Sequence, residues 1–321
     1  MRIVILGAGA IGGVVAGHLA RAQRDVLVLA RGAQLAALRD SGLRVETPDG
    51  AWTVRPAVQS SSEPIAWRAG DVLVACTKLQ DLGAALREVN APTSVPSVCM
   101  TNGVEGERIA LRHTREVIGC CVFMPATFLV PGTVQVWATP PGLFDLGRYP
   151  DGTGDADAIA GELIAAGFDC VVRPNVMKWK RGKLLSNLMN GAEALCGPTA
   201  RTSDLATRAR AEGRAVYAAA NLSCTTEAED AERRTAITGR TIEGAKRSGG
   251  STWQSLARGH ATLEVDYLNG EIAMLGRLNG VATPVNEALQ QIVSQEARRG
   301  AKPGELPLDE LIARVDAYCA T

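Results

Sequence analysis

The chain opens Met1-Arg2-Ile3-Val4-Ile5-Leu6-Gly7-Ala8-Gly9-Ala10-Ile11-Gly12, and the order of parts in this stretch decides the fold. A short apolar run ends in GxGxxG, and a helical pattern over residues 14–22 follows. A dinucleotide phosphate site needs that order. Gly7 permits the tight turn, Gly9 lets a pyrophosphate approach the backbone, and Gly12 lets the helix pack closely on its strand. Ala8, Ala10 and Ile11 fill the positions between, and the first amides of the helix, which lack partners within it, face the anion. With 34 glycines in the chain a bare GxGxxG can arise by chance as a structural turn. The succession of strand, motif and helix gives this one its weight.

The 321 residues exceed a typical single domain, and 46% hydrophobic residues suffice for two cores. Aromatic residues make up only 4%, so packing rests on Ala, Val, Leu and Ile. A net charge of zero removes the electrostatic case for nucleic acid or an anionic membrane as partner. The first apolar run is too short for a signal peptide, and no later run reaches the ~18–20 residues of a membrane span, so a cytoplasmic protein is expected. The eight cysteines are scattered without a CxxC, which reads as reduced, buried thiols. His18, His113 and His260 stand alone, so no metal site is expected.

Past the first helix, strands are predicted over 25–30, 71–76 and 97–100, with a hairpin over 43–54 turning at Pro48-Asp49-Gly50 and a helix over 81–89. Strands alternating with helices predict an α/β fold, a Rossmann-type doubly wound sheet. Strand-like pieces over 117–123, 133–138, 142–146 and 169–173 extend that sheet with antiparallel additions, around a helix over 156–166. After Pro174 helical periodicity dominates, with helices predicted over 179–194, 205–222, 227–247 and 265–278, the last capped by Gly280. The expected organisation is a dinucleotide-binding domain at 1–173 and an all-α substrate and catalytic domain at 174–321. Its apolar helices suit a homodimer.

Three strand ends carry polar groups where ligands lie in open α/β sheets. Arg31 closes the second strand, with no Asp or Glu between it and Asp40. An arginine there suits a ribose 2′-phosphate, so NADP(H) is expected over NAD(H). Lys78, in Thr77-Lys78-Leu79-Gln80, offers a positive charge to cofactor phosphate or substrate carboxylate. Asn102, in Thr101-Asn102-Gly103, can hydrogen-bond ribose or substrate. Farther along, Lys183 and Asn187 in Trp179-Lys180-Arg181-Gly182-Lys183-Leu184-Leu185-Ser186-Asn187 share a helix face. Lys180 and Arg181 compete with Lys183 as the functional cation.

GAGAIG at the N-terminus, an arginine closing the second strand, TKLQ, TNG, WxxxKLLxN and STWQSLARG…LEVDYLNG occur in an order that resembles the ketopantoate reductase family (2-dehydropantoate 2-reductases) nearly end to end. The resemblance implies NADPH-dependent reduction of 2-dehydropantoate to pantoate, in pantothenate and coenzyme A synthesis. It implies Lys183 as general acid and Glu264 as its support, at the edge of the cofactor site. Asn187 and Thr252 would bind substrate, Asn102 would lie at the cofactor and substrate junction, and Lys78 would serve the cofactor. The chemistry agrees, because negative charge building on a carbonyl oxygen calls for an ammonium that can donate a proton. Members commonly carry an asparagine-proline pair after the lysine helix. Here Asn190, one residue out of step, is the candidate for that second asparagine, and Thr252 stands for a serine. The alternatives are reduction of another branched 2-oxo acid and a non-catalytic NADP(H) sensor, against which the retained Lys183 and Glu264 argue.

Overall fold

A computed structural model of the chain describes residues 1–320. It begins with β1 (Arg2–Leu6), α1 (Ala10–Arg21), β2 (Val26–Ala30), α2 (Gly32–Asp40), β3 (Leu43–Thr47), β4 (Gly50–Val54), β5 (Ala57–Ser60) and β6 (Asp71–Ala75). Next come α3 (Leu79–Val89), β7 (Ser97–Cys99), α4 (Gly106–Ala110), β8 (Val117–Phe123), β9 (Ala126–Thr127), β10 (Thr133–Val136), β11 (Ala138–Thr139) and β12 (Leu143–Arg148). After α5 (Ala156–Ala165), β13 (Asp169–Val172) and α6 (Val176–Asn187), the chain is mostly helical. It continues through α7 (Asn190–Cys196), α8 (Asp204–Ala219), α9 (Glu227–Arg234), β14 (Thr238–Gly239), α10 (Ser251–Ala257), α11 (Asn269–Asn279), α12 (Pro284–Arg298) and α13 (Leu308–Cys319). Among the described residues no helix is long and apolar enough to cross a membrane. No group of three His, Cys, Asp or Glu among them could hold a metal.

Two compact units emerge, Met1–Lys180 with Glu227–Arg247, and Arg181–Thr226 with Ser248–Thr321. The division expected at 173/174 is thus displaced into α6, and a later segment returns to the first unit. The main sheet of that unit has the order β13-β12-β8-β7-β6-β1-β2-β5. Its pairs are parallel except β12 against β8. From β5 to β8 the strands run third, second, first, fourth, fifth, sixth in sequence, so the direction of winding reverses between β1 and β6. Ligands bind at such a reversal, outside the carboxyl ends of the strands. Continuous apolar runs bury β2 and the last four residues of β1 and β6, while the first residues of those two strands, Arg2 and Asp71, are buried as an ion pair at 2.5 Å.

The stretch 133–138 does not extend the main sheet as expected. β10 joins a second sheet, β4-β3-β10-β9, which lies against α1. A Cβ on Gly13 would stand 2.6 Å from Val134, and one on Gly17 would stand 2.4 Å from Val45. The glycines of α1 therefore admit a sheet on the face opposite the one Gly12 presents to β1. Next to this contact His18 lies between Trp52 and Phe168, at ring-centroid distances of 5.2 and 5.1 Å. Its Nδ1 donates to the Ala166 carbonyl at 3.3 Å.

Burial lowers the His18 pKa to about 4, against the opposing pull of the Ala166 carbonyl. Between pH 6.5 and 4 the unfolded chain therefore binds a proton at this residue that the folded unit refuses. Stability is full above pH 6.5 and falls by about 3 kcal/mol as the pH drops through that window. Urea midpoints at pH 4.5 and 7 should differ less in His18→Gln than in the parent.

The helix expected over 227–247 ends at Arg234. Arg233 approaches Asp145 Oδ1 at 3.0 Å and Asp169 at 2.7 Å, while Arg173 reaches the same Asp145 oxygen at 3.2 Å. Asp145 is fully buried, so the two guanidiniums compensate a carboxylate that would otherwise be costly to desolvate. Beyond α9 the chain pairs as a strand, Thr238 with Thr139 and Gly239 with Ala138.

In the second unit α12 packs against α7, α8, α11 and α13. Its first turn is satisfied by a side chain from α8. Glu212 accepts from the amides of Val285 and Asn286 at 2.9 and 3.0 Å, which places an anion at the positive end of α12. Asn286 is fully buried, donating to Ala209 O and accepting from Asn269. Gly280 ends α11 in the left-handed conformation, as its position predicts.

Candidate active site

The glycine turn has the geometry its sequence implies. Gly7 has φ +101°, and a Cβ there would press on Thr77 at the end of β6. One on Gly12 would overlap the Gly7 carbonyl and stand 3.0 Å from both Ile5 and Cys76, whereas one on Gly9 would meet nothing within 4 Å. Gly12 is thus dictated by helix-on-strand packing, and Gly9 faces open space. The first in-helix amide bond, Gly13 N to Gly9 O at 2.8 Å, leaves the amides of Ala10, Ile11 and Gly12 without helical partners. No side chain caps this end.

Gly7, Ala8 and Gly9 line one cleft with Arg31, Ser61 and Thr77. The hydroxyl of Thr77 is buried without a hydrogen-bond partner, and a bound polar group would satisfy it. Gln34 braces the turn, its Nε2 donating to the Ala8 carbonyl at 2.9 Å and its Oε1 accepting from Gly132 N at 2.7 Å. Arg31 stands at the end of β2, largely exposed, with Nη1 3.4 Å from Glu88 Oε2. Lys78, half-buried, precedes α3 as its N-cap residue. Asn102 is half-buried on the loop after β7. Open space at Gly9, unpaired amides and an orphaned hydroxyl fit a dinucleotide. Gln34, Ser61 and Glu88 were not expected, because nothing in their local sequence marks them, whereas Thr77 lies in the polar strand end Thr77-Lys78-Leu79-Gln80.

Beneath the Thr101–Gly103 loop lies a buried ion pair. Lys180 forms a short ion pair with Glu107 Oε1, and its Nζ also donates to the Thr101 carbonyl at 3.2 Å. The two residues are 2% and 0% exposed. Burial raises the Glu107 pKa despite Lys180. Burial acts to lower that of Lys180, but the attraction of Glu107 outweighs it. Lys180 is thereby committed to structure and withdrawn from the competition with Lys183.

The remaining candidates belong to the second unit. Lys183 and Asn187 lie half-buried on α6, one turn apart. Gly182 fits its odd place in a helix, because a Cβ there would overlap Thr225 Oγ1. Arg181 is likewise engaged, donating to Ser223 O at 2.6 Å. The helix expected over 179–194 breaks at Leu188–Met189, and Asn190 begins α7. Its Oδ1 accepts from Arg201 at 2.7 Å, and the side chain is buried. Arg201 also pairs with Glu193. At the next position, a Cβ on Gly191 would press into Val293 of α12 at 2.8 Å. Thr252 is buried on α10, which packs on α7, and Glu264 is buried in the short 3-10 turn Glu264–Tyr267.

The sequence profile described as "Ketopantoate reductase PanE/ApbA" matches residues 3–151, and its C-terminal counterpart matches residues 175–297. A 2-dehydropantoate 2-reductase of Mesorhizobium japonicum is 32% identical, over 92% of this chain and 98% of its own length. One of Halobacterium salinarum is 28% identical over 94% of this chain and all of its own. The crystal structure of a PanE/ApbA family ketopantoate reductase from Ralstonia eutropha superposes with a TM-score of 0.78 at 27% identity, covering 94% of this chain and 99% of that one. A D-mandelate dehydrogenase in a ternary structure with NADH and anilino(oxo)acetate shares the fold, with a TM-score of 0.80 at 22% identity over 94% of this chain and 99% of that one. The chain belongs to the ketopantoate reductase family.

Proposed function

We propose that the protein reduces 2-dehydropantoate to pantoate with NADPH, as a cytoplasmic, homodimeric enzyme of pantothenate and coenzyme A synthesis. The observation that carries this reading is the match of nearly the whole chain, at 32% identity, to a 2-dehydropantoate 2-reductase. Gly7 to Gly12 would hold the pyrophosphate, Arg31 the 2′-phosphate, and Lys78 a further anionic group. When bound, NADPH supplies a hydride to the C2 carbonyl of the substrate. Lys183 meets the charge that builds on the carbonyl oxygen and donates the proton. Glu264 keeps that lysine charged and oriented at the cofactor edge. Asn187 and Thr252 bind the substrate, and Asn102 orients it against the cofactor.

A second reading, a different branched 2-oxo acid as acceptor, is favoured by the start of α7. Asn190 Oδ1 is taken by Arg201, and Val293 crowds position 191, so the second asparagine common in the family has no direct counterpart at 191 and only an altered one at 190. A panel of 2-oxo acids ranked by kcat/KM with NADPH decides between the two. 2-Dehydropantoate should lead by tenfold or more, and a bulkier acid ahead of it would establish the second reading. In the same assay Arg31→Ala should raise KM for NADPH at least about tenfold while barely changing that for NADH. Equal effects would remove the phosphate contact.

A further inference from the structure

Along the chain no acid lies near Arg31, yet the fold delivers one from α3. Glu88 Oε2 accepts from Arg31 Nη1 at 3.4 Å, and its Oε1 accepts from Ser61 Oγ at 3.3 Å. Arg31 and Ser61 follow β2 and β5, and both line the cleft together with Ala85, one turn before Glu88 on α3. The side chain of Glu88 is 29% exposed and that of Arg31 62%, so the guanidinium is the more accessible partner. Ser61 is buried and anchors the carboxylate.

We propose that Glu88 is a cofactor-selectivity residue that counteracts Arg31, opposing the 2′-phosphate of NADPH and accepting a hydrogen bond from the 2′-hydroxyl of NADH. The proposal rests on reading the cleft as a dinucleotide site. In sheets of this type the ribose 2′ position lies at the end of the second strand, where Arg31 stands. To fork a phosphate, Arg31 must leave Glu88, and the phosphate then faces a carboxylate whose counter-charge has moved away. A 2′-hydroxyl meets no such repulsion, and an acid at this edge is its usual partner. One side chain thus favours each nucleotide, and the site accepts both.

The exposed Arg31–Glu88 pair contributes little to stability, so Glu88→Gln should fold normally. The parent, Glu88→Gln, Arg31→Ala and Glu63→Gln are titrated with NADPH and with NADH at two ionic strengths. Glu63, paired with Arg39 at 3.3 Å, serves as a neighbouring carboxylate outside the cleft lining. Glu88→Gln should tighten NADPH binding by about fivefold to tenfold and leave NADH unchanged or up to about threefold weaker. The gain should shrink at high salt, and Glu63→Gln should leave the preference where it was. An unchanged preference in Glu88→Gln, or an equal shift in Glu63→Gln, overturns the proposal. A preference that moves with Arg31→Ala but not with Glu88→Gln overturns this proposal alone. A parent that binds neither nucleotide overturns the dinucleotide reading with it.

Discussion

Lys183→Ala is expected to lower kcat by two to four orders of magnitude, the usual contribution of a positioned acid, while leaving the Kd for NADPH within about twofold. The lysine sits on a helix fixed on both sides of it. Gly182 is pressed against Thr225, and Leu184 and Leu185 are buried. Truncating the side chain should therefore remove the ammonium without moving the backbone. Lys183→Arg sharpens the test, because a guanidinium keeps the charge but does not release a proton near neutral pH. If charge alone stabilises the developing oxyanion, the arginine variant recovers most of the rate. Donation of a proton predicts that it stays near the alanine variant. Retention of more than a tenth of kcat in Lys183→Ala would exclude the assigned role.

Glu107→Gln and Lys180→Met should each destabilise the protein by about 3–5 kcal/mol, since each strands a charge in an interior that holds both partners at 2% exposure or less. The double variant, uncharged at both positions, should recover much of that loss. Urea midpoints at unchanged slope measure all three. The damage should also reach the site. Lys180 donates to the carbonyl of Thr101, so the single variants should raise KM for substrate through Asn102 even where folding is rescued by lower temperature.

The local parts of this fold are legible in the sequence. Strand, glycine turn and helix at the N-terminus, the apolar strands at 71–76 and 117–123, the left-handed Gly280 and the shared face of Lys183 and Asn187 all depend on contacts within a few residues. What resisted reading depends on partners far along the chain. Lys180 looks like a surface lysine until Glu107, 73 residues earlier, is brought against it. Arg31 stands without an acid until α3 supplies Glu88, 57 residues on. The helix over 227–247 satisfies periodicity, but Arg233 is drawn to Asp145, 88 residues earlier, and the following residues are taken up by β11. The edge strand β5, Ala-Val-Gln-Ser, has too few apolar residues to announce itself. Gly182, an unfavourable residue inside a helix, likewise has its reason far along the chain, in Thr225, which a Cβ there would overlap.

The return of Glu227–Arg247 to the first unit bears on how the chain is made. A ribosome delivers residues in order, at about 5–20 per second. When residue 180 has emerged, the first unit still lacks Arg233 for Asp145 and a pairing strand for Ala138–Thr139. The wait for residue 247 lasts roughly 3 to 13 s at those rates. During that interval the nascent nucleotide-binding sheet carries a half-compensated buried carboxylate and an open strand edge. A short stall in translation after residue 180 should therefore expose the chain to chaperones and proteases more than the same stall placed after residue 247.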